Sequence, residues 1–309
     1  MNKINQLFAL SFSYIVLLVL IPIRKKCTIT CAGKTDGMGA QVQAIYSAML
    51  YANAVGVKYC HTPIHSVEHN YNNTENFNTQ VEDFFSLSLD EQNADEFYTS
   101  STTIYLDNFS WRTIVDTAKY LLGIGNSFLF VKSHFHNYAN LHTHQFTDIK
   151  ARLRNKYYYN KQQTNHNNEI LQVIFHVRRG DVSATANNER FTSNSEIYDK
   201  IIALREILDK QQLAYSISIY SQGNKIDFDN LDTVAQLHLN GDVFSDFSDL
   251  VNADILVTSK SAYSYAAAIL SKAIIIYEPF YHKKLADWIL YSTGIFNTKE
   301  FISLIKRNR

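Results

Sequence analysis

The feature of this 309-residue chain that most restricts its fold is an alternation running through its second half. Short runs of branched apolar residues take turns with longer stretches patterned as helices. LQVIFHV at 171–177 reads as a strand and SEIYDKIIALREILDKQ at 195–211 as a helix. YSISIYS is a strand, 231–238 and 245–252 are helical pieces, and DILVTS is a strand. SAYSYAAAILSK is a helix, AIIIYE a strand, and a helix closes the chain. Apolar runs with no alternating polarity suit strands covered on both faces, as in parallel sheets with helices packed above and below. The first half opens in the same way. CTITCAG is a strand, KTDGMGAQ a glycine loop, and VQAIYSAMLYANAVG a helix stopped by Gly56. VKYCHTPI is the next strand, which completes a parallel βαβ unit.

Further along, 66 to about 110 reads as a polar surface insertion with short helices. WRTIVDTAKYLLG is helical, SFLFVKSHF a strand, and FTDIKARLRNKYYYNKQQ an amphipathic helix. TNHNNE is the most polar stretch in the middle and serves as a linker. The expected organisation is an α/β chain of two Rossmann-like domains facing across a cleft, 27–165 and 166–309, behind an N-terminal segment 1–26.

That N-terminal segment holds LFALSFSYIVLLVLIPI, Leu7 to Ile23, uncharged and followed at once by Arg24, Lys25 and Lys26. As a helix it would span roughly 25 Å, the short end of what crosses a bilayer. No small-residue cleavage signal follows, so the expectation is a retained single-pass anchor, with a buried core helix as the alternative. The three basic residues after the run would keep the body on the cytoplasmic side. A lumenal body would instead expose the sequons Asn72-Asn73-Thr74 and Asn108-Phe109-Ser110.

Lysine plus arginine and aspartate plus glutamate each number 29, so no global cationic field draws nucleic acid to this chain. Any anion must be held locally. Arg178 and Arg179, at the end of an apolar strand, are the strongest such cluster. Guanidinium groups present planar forks matched to phosphate oxygens, and on an extended segment the two point to opposite sides. One can face a cleft while the other braces structure. Asp181 is a natural partner, and Gly180 allows a sharp turn. A buried salt-bridge knot would use the same residue types.

Three cysteines, Cys27, Cys31 and Cys60, are too few for a disulfide framework. GKT at 33–35 is not a P-loop, since Thr28 stands where a Walker motif needs glycine. Gly37 and Gly39 instead precede a helix, where free N–H groups favour a polar group. Ser259 or Ser261 can cap the helix of TSKSAYSYAAAIL, whose first turn offers further N–H groups. His134, His136, His142 and His144 lie close together, but no carboxylate or cysteine completes a metal set, and strand alternation accounts for the first pair.

HVRRGD at 176–181 resembles the signature of the fucosyltransferase superfamily. That superfamily includes the inverting α1,2-fucosyltransferases of glycosyltransferase family 11. GMGAQVQAIYSAMLYANAVG is similar to its opening Gly-Leu-Gly-Asn-Gln loop and helix, and SHFHNYANL to its Gly-Tyr-Phe-Gln segment. ISIYSQGN resembles its Phe-Ser-Asp-Asp strand. DLVNADILVTSKSAYSYAAAIL is similar to its Asn-Ser-(Ser/Thr)-Phe-Ser-Trp-Trp-Ala-Ala motif.

The resemblance runs from about residue 28 to 280 and implies a two-domain GT-B fold that transfers fucose from GDP-fucose to a glycan acceptor without a metal. It implies Arg178 on the β-phosphate, Arg179 supporting the loop or the phosphates with Asp181 as its brace, and His176 lining the nucleotide pocket. Ser259 and Ser261 would take the pyrophosphate and Asp246 the guanine edge. On the acceptor side it implies the loop of Asp36, Gly37, Gly39 and Gln41. Glu189 is the candidate general base, with Asp36 as the other. The family's loop Asn is Ala40 here, its two tryptophans are replaced around Tyr263 and Tyr265, and its two aspartates are Gln222 and Asn224. The alternatives are another nucleotide sugar on the same fold, or a non-catalytic nucleotide- or sugar-binding relative. Membrane contact would come through the N-terminal segment, in the Golgi of a eukaryote or the cytoplasmic membrane of a bacterium.

Overall fold

The glycine loop after the first strand sits where two halves of a parallel sheet diverge. In a computed structural model describing residues 10–70, 75–161, 169–292 and 295–307, β1 (Thr28–Cys31) is the centre of a five-stranded sheet. β2 (Lys58–His61) and β3 (Gln92–Asn93) lie on one side of it. β5 (Phe128–Lys132) and β4 (Thr102–Tyr105) lie on the other. All pairings are parallel. The chain therefore leaves β1 in one direction and returns on the other side, which opens a crevice at the carboxyl end of β1. The helix Met38–Val55 links β1 to β2 and is buried nearly all round, which explains its weak amphipathic pattern. Gly56, at φ +77°, ends it by donating its N–H to Ala52 O, a conformation glycine takes without steric cost.

The polar stretch 66–110 is not wholly a surface insertion. Besides the helices Phe77–Phe85 and Ala94–Ser100 it supplies β3 and β4, and β4 pairs along its length with β5. Edge strands bury one side only, so TTIY carries no apolar run to announce it. The first sequon, 72–74, and most of the TNHNNE stretch lie outside the described residues.

Contacts divide the chain into two units, Met1–Lys161 and Gln162–Arg309. The second is built on a seven-stranded sheet in the order β12-β11-β10-β9-β6-β7-β8. These are β6 (Leu171–His176), β7 (Tyr215–Ser221), β8 (Gln236–Leu239), β9 (Ile255–Val257), β10 (Ile274–Tyr277), β11 (Ile289–Ser292) and β12 (Ile295–Phe296). Only the β11–β12 pair is antiparallel. Val173, Phe175, Ile201, Ile219, Val257 and Ile276 form the middle of its core. Here too the chain reverses around its first strand: β7 and β8 lie to one side of β6, and β9, β10 and β11 to the other. The segment 231–238, expected as helix, is a short turn at Leu231–Thr233 followed by the edge strand β8. The helix Asn194–Lys210 starts on a reciprocal capping box between Ser193 and Glu196.

The N-terminal segment departs from the expected anchor. Residues 10–24 are helical, with a π-turn over Val16–Leu20. Val16 and Ile21 are fully buried. Tyr51 Oη donates to Leu17 O at 2.7 Å, and the Phe12 ring meets Phe109 at 5.4 Å. Arg24 Nη1 donates to Leu121 O at 3.1 Å, with its guanidinium 5.5 Å from the Tyr120 ring. One face of this helix is thus part of the first unit's core, packed by the helices Met38–Val55 and Trp111–Leu122. Among the described residues no helix is long and apolar enough to cross a membrane, so a single-pass anchor is not supported. Residues 1–9 lie outside the described part.

Core packing of this helix has a measurable consequence. Ile21→Ala should lower the stability of the protein by about 2–5 kcal/mol in urea unfolding. Ile23→Ala, three-quarters exposed, should stay within about 0.5 kcal/mol. Equal, negligible effects at both positions would show that the helix does not pack as described.

Candidate functional site

In the second unit the reversal point lies between the carboxyl ends of β6 and β9. Two side-chain bridges span it. His176 Nδ1 and Ser259 Oγ are 2.7 Å apart, and Arg178 Nη1 donates to Ser261 Oγ at 3.0 Å. Ser261 is also the N-cap of the helix Ala262–Leu270, accepting from Tyr263 N. The HVRRGD and TSKS segments, 83 residues apart, are therefore joined where ligands bind in open parallel sheets.

The two arginines have separate duties. Arg179 is buried and held by the protein: its guanidinium donates to Arg178 O, Thr192 O and Asn194 Oδ1 at 2.9–3.0 Å and lies 4.4 Å from the Phe191 ring centre. Arg178 is partly open. Its Nη2 donates to Asp181 Oδ2 at 2.7 Å, while its Nε is buried without a hydrogen-bond partner among the described residues. Asp181 thus pairs with Arg178, not with Arg179 as expected. The cause is Gly180, at φ +83°, which folds the chain back after β6 has ended. A side chain there would also collide with Gln222 Oε1.

Burial and the neighbouring Arg178 charge push the His176 imidazole down to about 3, so it is neutral at physiological pH. Its ring lies 5.3 Å from Tyr263, one of the residues near the family's tryptophan positions. Asp246 is in the first turn of the helix Val243–Asn252, just beyond β8. A Cβ on Gly241 would overlap its carboxylate, so the loop passes directly over it. Burial, then repulsion from Asp249 and Asp242, pushes the Asp246 carboxyl up to about 6. Asp249 is itself tied to Tyr220 Oη at 3.0 Å, and the Tyr220 ring stacks on His238 at 4.5 Å. Glu189 is exposed in the turn Asn188–Arg190.

Sequence reasoning missed Glu278. It ends β10 much as the arginines follow β6, and the same signal, a charge closing an apolar run, marks it. Glu278 takes Lys200 Nζ and Thr192 Oγ1, each at 2.8 Å, and faces Lys260 Nζ at 3.7 Å. It ties the TSKS loop and the loop under Arg179 to the sheet.

In the first unit, the acceptor-side residues collect at the β1 carboxyl end. Gln41 Nε2 donates to Asp36 O and Ser66 O, both at 2.6 Å, which closes the loop. Gly37 is the helix N-cap, and a side chain there would press on His69 at 3.1 Å; Gly39 lies inside the helix. Asp36 pairs with Lys34 at 2.9 Å through Oδ2, while Oδ1 is buried and unpartnered among the described residues. Across the crevice, Asp107 takes Lys132 Nζ at 2.5 Å and Ser133 N at 2.6 Å. His134 and His136 are not strand residues as expected: β5 ends at Lys132, and their rings stack at 4.6 Å. Burial and Lys132 and Lys34 push His134 down to about 4. Among the described residues no group of three or more His, Cys, Asp or Glu could hold a metal ion.

No protein-family model matches the chain, and no curated protein matches it. Several solved structures resemble it. E. coli heptosyltransferase WaaC with ADP-2-deoxy-2-fluoro heptose is 12% identical, with a TM-score of 0.42, over 92% of this chain and 99% of that one. NodZ alpha-1,6-fucosyltransferase co-crystallized with GDP is 13% identical, with a TM-score of 0.40, over 82% and 95%. An Arabidopsis thaliana FUT1 variant in complex with GDP is 10% identical, with a TM-score of 0.37, over 84% and 71%. These likenesses are distant, and what the site can do is decided by its own residues.

Glu278→Ala would leave Lys200 buried and uncompensated, and should cost about 3–5 kcal/mol in thermal or urea unfolding. Asp246→Asn should act in the opposite sense. The folded carboxyl holds its proton more tightly than an unfolded one, so the wild type loses stability as pH rises from about 4 to about 6. The Asn variant should match it below that window. Above it the variant should be more stable, by on the order of 1 kcal/mol once solvent screening is allowed for. A pH series of urea midpoints reads both limbs.

Proposed function

We propose that this chain is an inverting glycosyltransferase that moves L-fucose from GDP-fucose to a hydroxyl of a glycan acceptor. The observation that carries this reading is Arg178. Its guanidinium is oriented by Ser261 and Asp181 at the β6–β9 reversal, and its Nε donor is unpaired among the described residues. Such a fork suits a phosphate oxygen, and a charge fixed where the leaving group gathers its own charge is the usual largest catalytic contribution. Arg178 would supply this charge without a divalent cation.

In the transfer, the acceptor oxygen attacks C1 of the sugar from the face opposite the diphosphate. The C1–O bond breaks, its electron pair leaves on GDP, and the configuration at C1 inverts. The acceptor proton passes to a base. Ser259, Ser261 and the first-turn N–H groups of Ala262–Leu270 would hold the diphosphate beside Arg178. His176, neutral and bonded to Ser259, would keep that hydroxyl aimed. Arg179 holds the loop and touches no substrate. Asp246 would accept the two N–H groups of a guanine edge, and its elevated pKa reflects a carboxylate without compensation until such donors arrive. The base would be Asp36, whose Oδ1 has no hydrogen-bond partner among the described residues and whose loop is fixed by Gln41; Glu189 is the competing candidate.

A donor scan on the full chain, reading released nucleotide from GDP-fucose, GDP-mannose and UDP-sugars, tests the donor directly. Arg178→Ala should lower kcat by about 10²–10³-fold with the fold intact by circular dichroism. Arg178→Lys should recover little, because a point charge does not replace the fork. Asp36→Asn should lower kcat by about 10²–10⁴-fold, with Glu189→Gln near wild type. Unchanged turnover in Arg178→Ala would overturn the reading. GDP binding without turnover on any acceptor would favour a non-catalytic relative. Release of another nucleotide would identify a different donor on the same site.

A further inference from the structure

The helix over residues 10–24 buries one face and leaves the other open. Ile15, Leu18, Val19 and Ile23 are exposed, the last by 77%. The neighbouring helix Trp111–Leu122 runs beside it, joined near its start by Phe12–Phe109 and at its end by Arg24–Leu121. That second helix is also apolar outward: Trp111 is 79% and Leu122 74% exposed, with Leu121 and Ile124 beside them. Single exposed apolar residues are ordinary, but a contiguous two-helix face of this kind marks a contact surface.

The outward charges carried by these two helices have one sign. No aspartate or glutamate precedes Asp36, and between 108 and 126 the only carboxylate is Asp116. Asp116 is buried under Lys119 at 2.9 Å and Arg112 at 3.6 Å, so these two cations face outward over it. Lys25 and Lys26 are exposed at the other end. A protein partner would normally be met by charges of both signs around an apolar centre. An apolar stripe edged by lysine and arginine, with an exposed tryptophan at one end, instead matches an anionic lipid surface.

We infer that this face lies on an anionic phospholipid bilayer, with both helices parallel to the membrane plane and none crossing it. Leu18, Ile23, Trp111, Leu122 and Ile124 would enter the acyl boundary, and Lys25, Lys26, Arg112 and Lys119 would meet phosphate groups. The attachment does not depend on the proposed transfer reaction.

Sedimentation of the full chain with phosphatidylcholine vesicles, with and without phosphatidylglycerol, tests this. Binding should require the anionic lipid and weaken with salt. Lys25→Ala with Lys26→Ala should lower partitioning about fivefold per cation. Trp111→Glu with Leu122→Glu should lower it about tenfold or more. These side chains are exposed, so an unchanged unfolding midpoint separates lost binding from lost fold. A membrane span formed by residues 7–23 alone would be insensitive to the Trp111 and Leu122 changes, and that result would overturn the proposal. So would a concentration-dependent dimer, lost in the same variants, with no vesicle binding. Turnover on a soluble acceptor should be the same in all these variants.

Discussion

The second unit depends on keeping one arginine buried so that another can stay available. Arg179 is a permanent cation in the interior, and an uncompensated charge there would be costly. Two carbonyls, one amide oxygen and the Phe191 face replace much of its water and commit both of its terminal nitrogens to the protein. Because that group fixes the backbone from Arg178 to Asn194, Arg178 leaves the strand at a defined angle. Its own partners, Ser261 and Asp181, hold it by the two terminal nitrogens and leave Nε open. The cation is therefore held in place by the protein's own groups, and under the proposed reading this avoids the reorganisation that would otherwise offset the gained attraction.

Glu278 extends the same logic one strand further. Lys200 and Glu278 are each nearly buried, and such a pair returns little net stability relative to apolar residues of similar volume. What it does provide is geometry. Its carboxylate meets Thr192, whose carbonyl holds Arg179, and it faces Lys260 between the two bridging serines. Three loops at the carboxyl edge of the sheet are thereby joined through one acid, and a shift in any of them would be felt at Arg178.

The central strands were legible because burial on both faces leaves an unmistakable apolar run, as in β6, β9 and β10. The edge strands β4 and β8 were not, since one open side lets polar residues in. The two arginines stand out by residue type and position, but residue type does not fix which of them Asp181 meets. The family resemblance implies Asp181 as the brace of Arg179, but the strand stops at His176, Gly180 reverses the chain, and Asp181 meets Arg178 instead. The apolar segment 7–23 was ambiguous for a related reason. Composition alone does not separate a helix covered by lipid from one covered by neighbouring helices, and the contacts of Val16, Leu17 and Ile21 decide it only in three dimensions.

The two units share a plan, with a reversal around the first strand, but their crevices differ in charge. In the first, cations and carboxylates come as local pairs, Lys34 with Asp36 and Lys132 with Asp107, and His134 is held neutral. Paired charges at a crevice mouth offer hydrogen bonds of both kinds and little net field, which suits a neutral, hydroxyl-rich molecule. In the second, Arg178 Nε is unpaired among the described residues, and Asp181 occupies only one end of the fork. Under the proposed reading, the division of labour between acceptor and donor sides is thus written in how completely each unit neutralises its own crevice, rather than in any difference of fold.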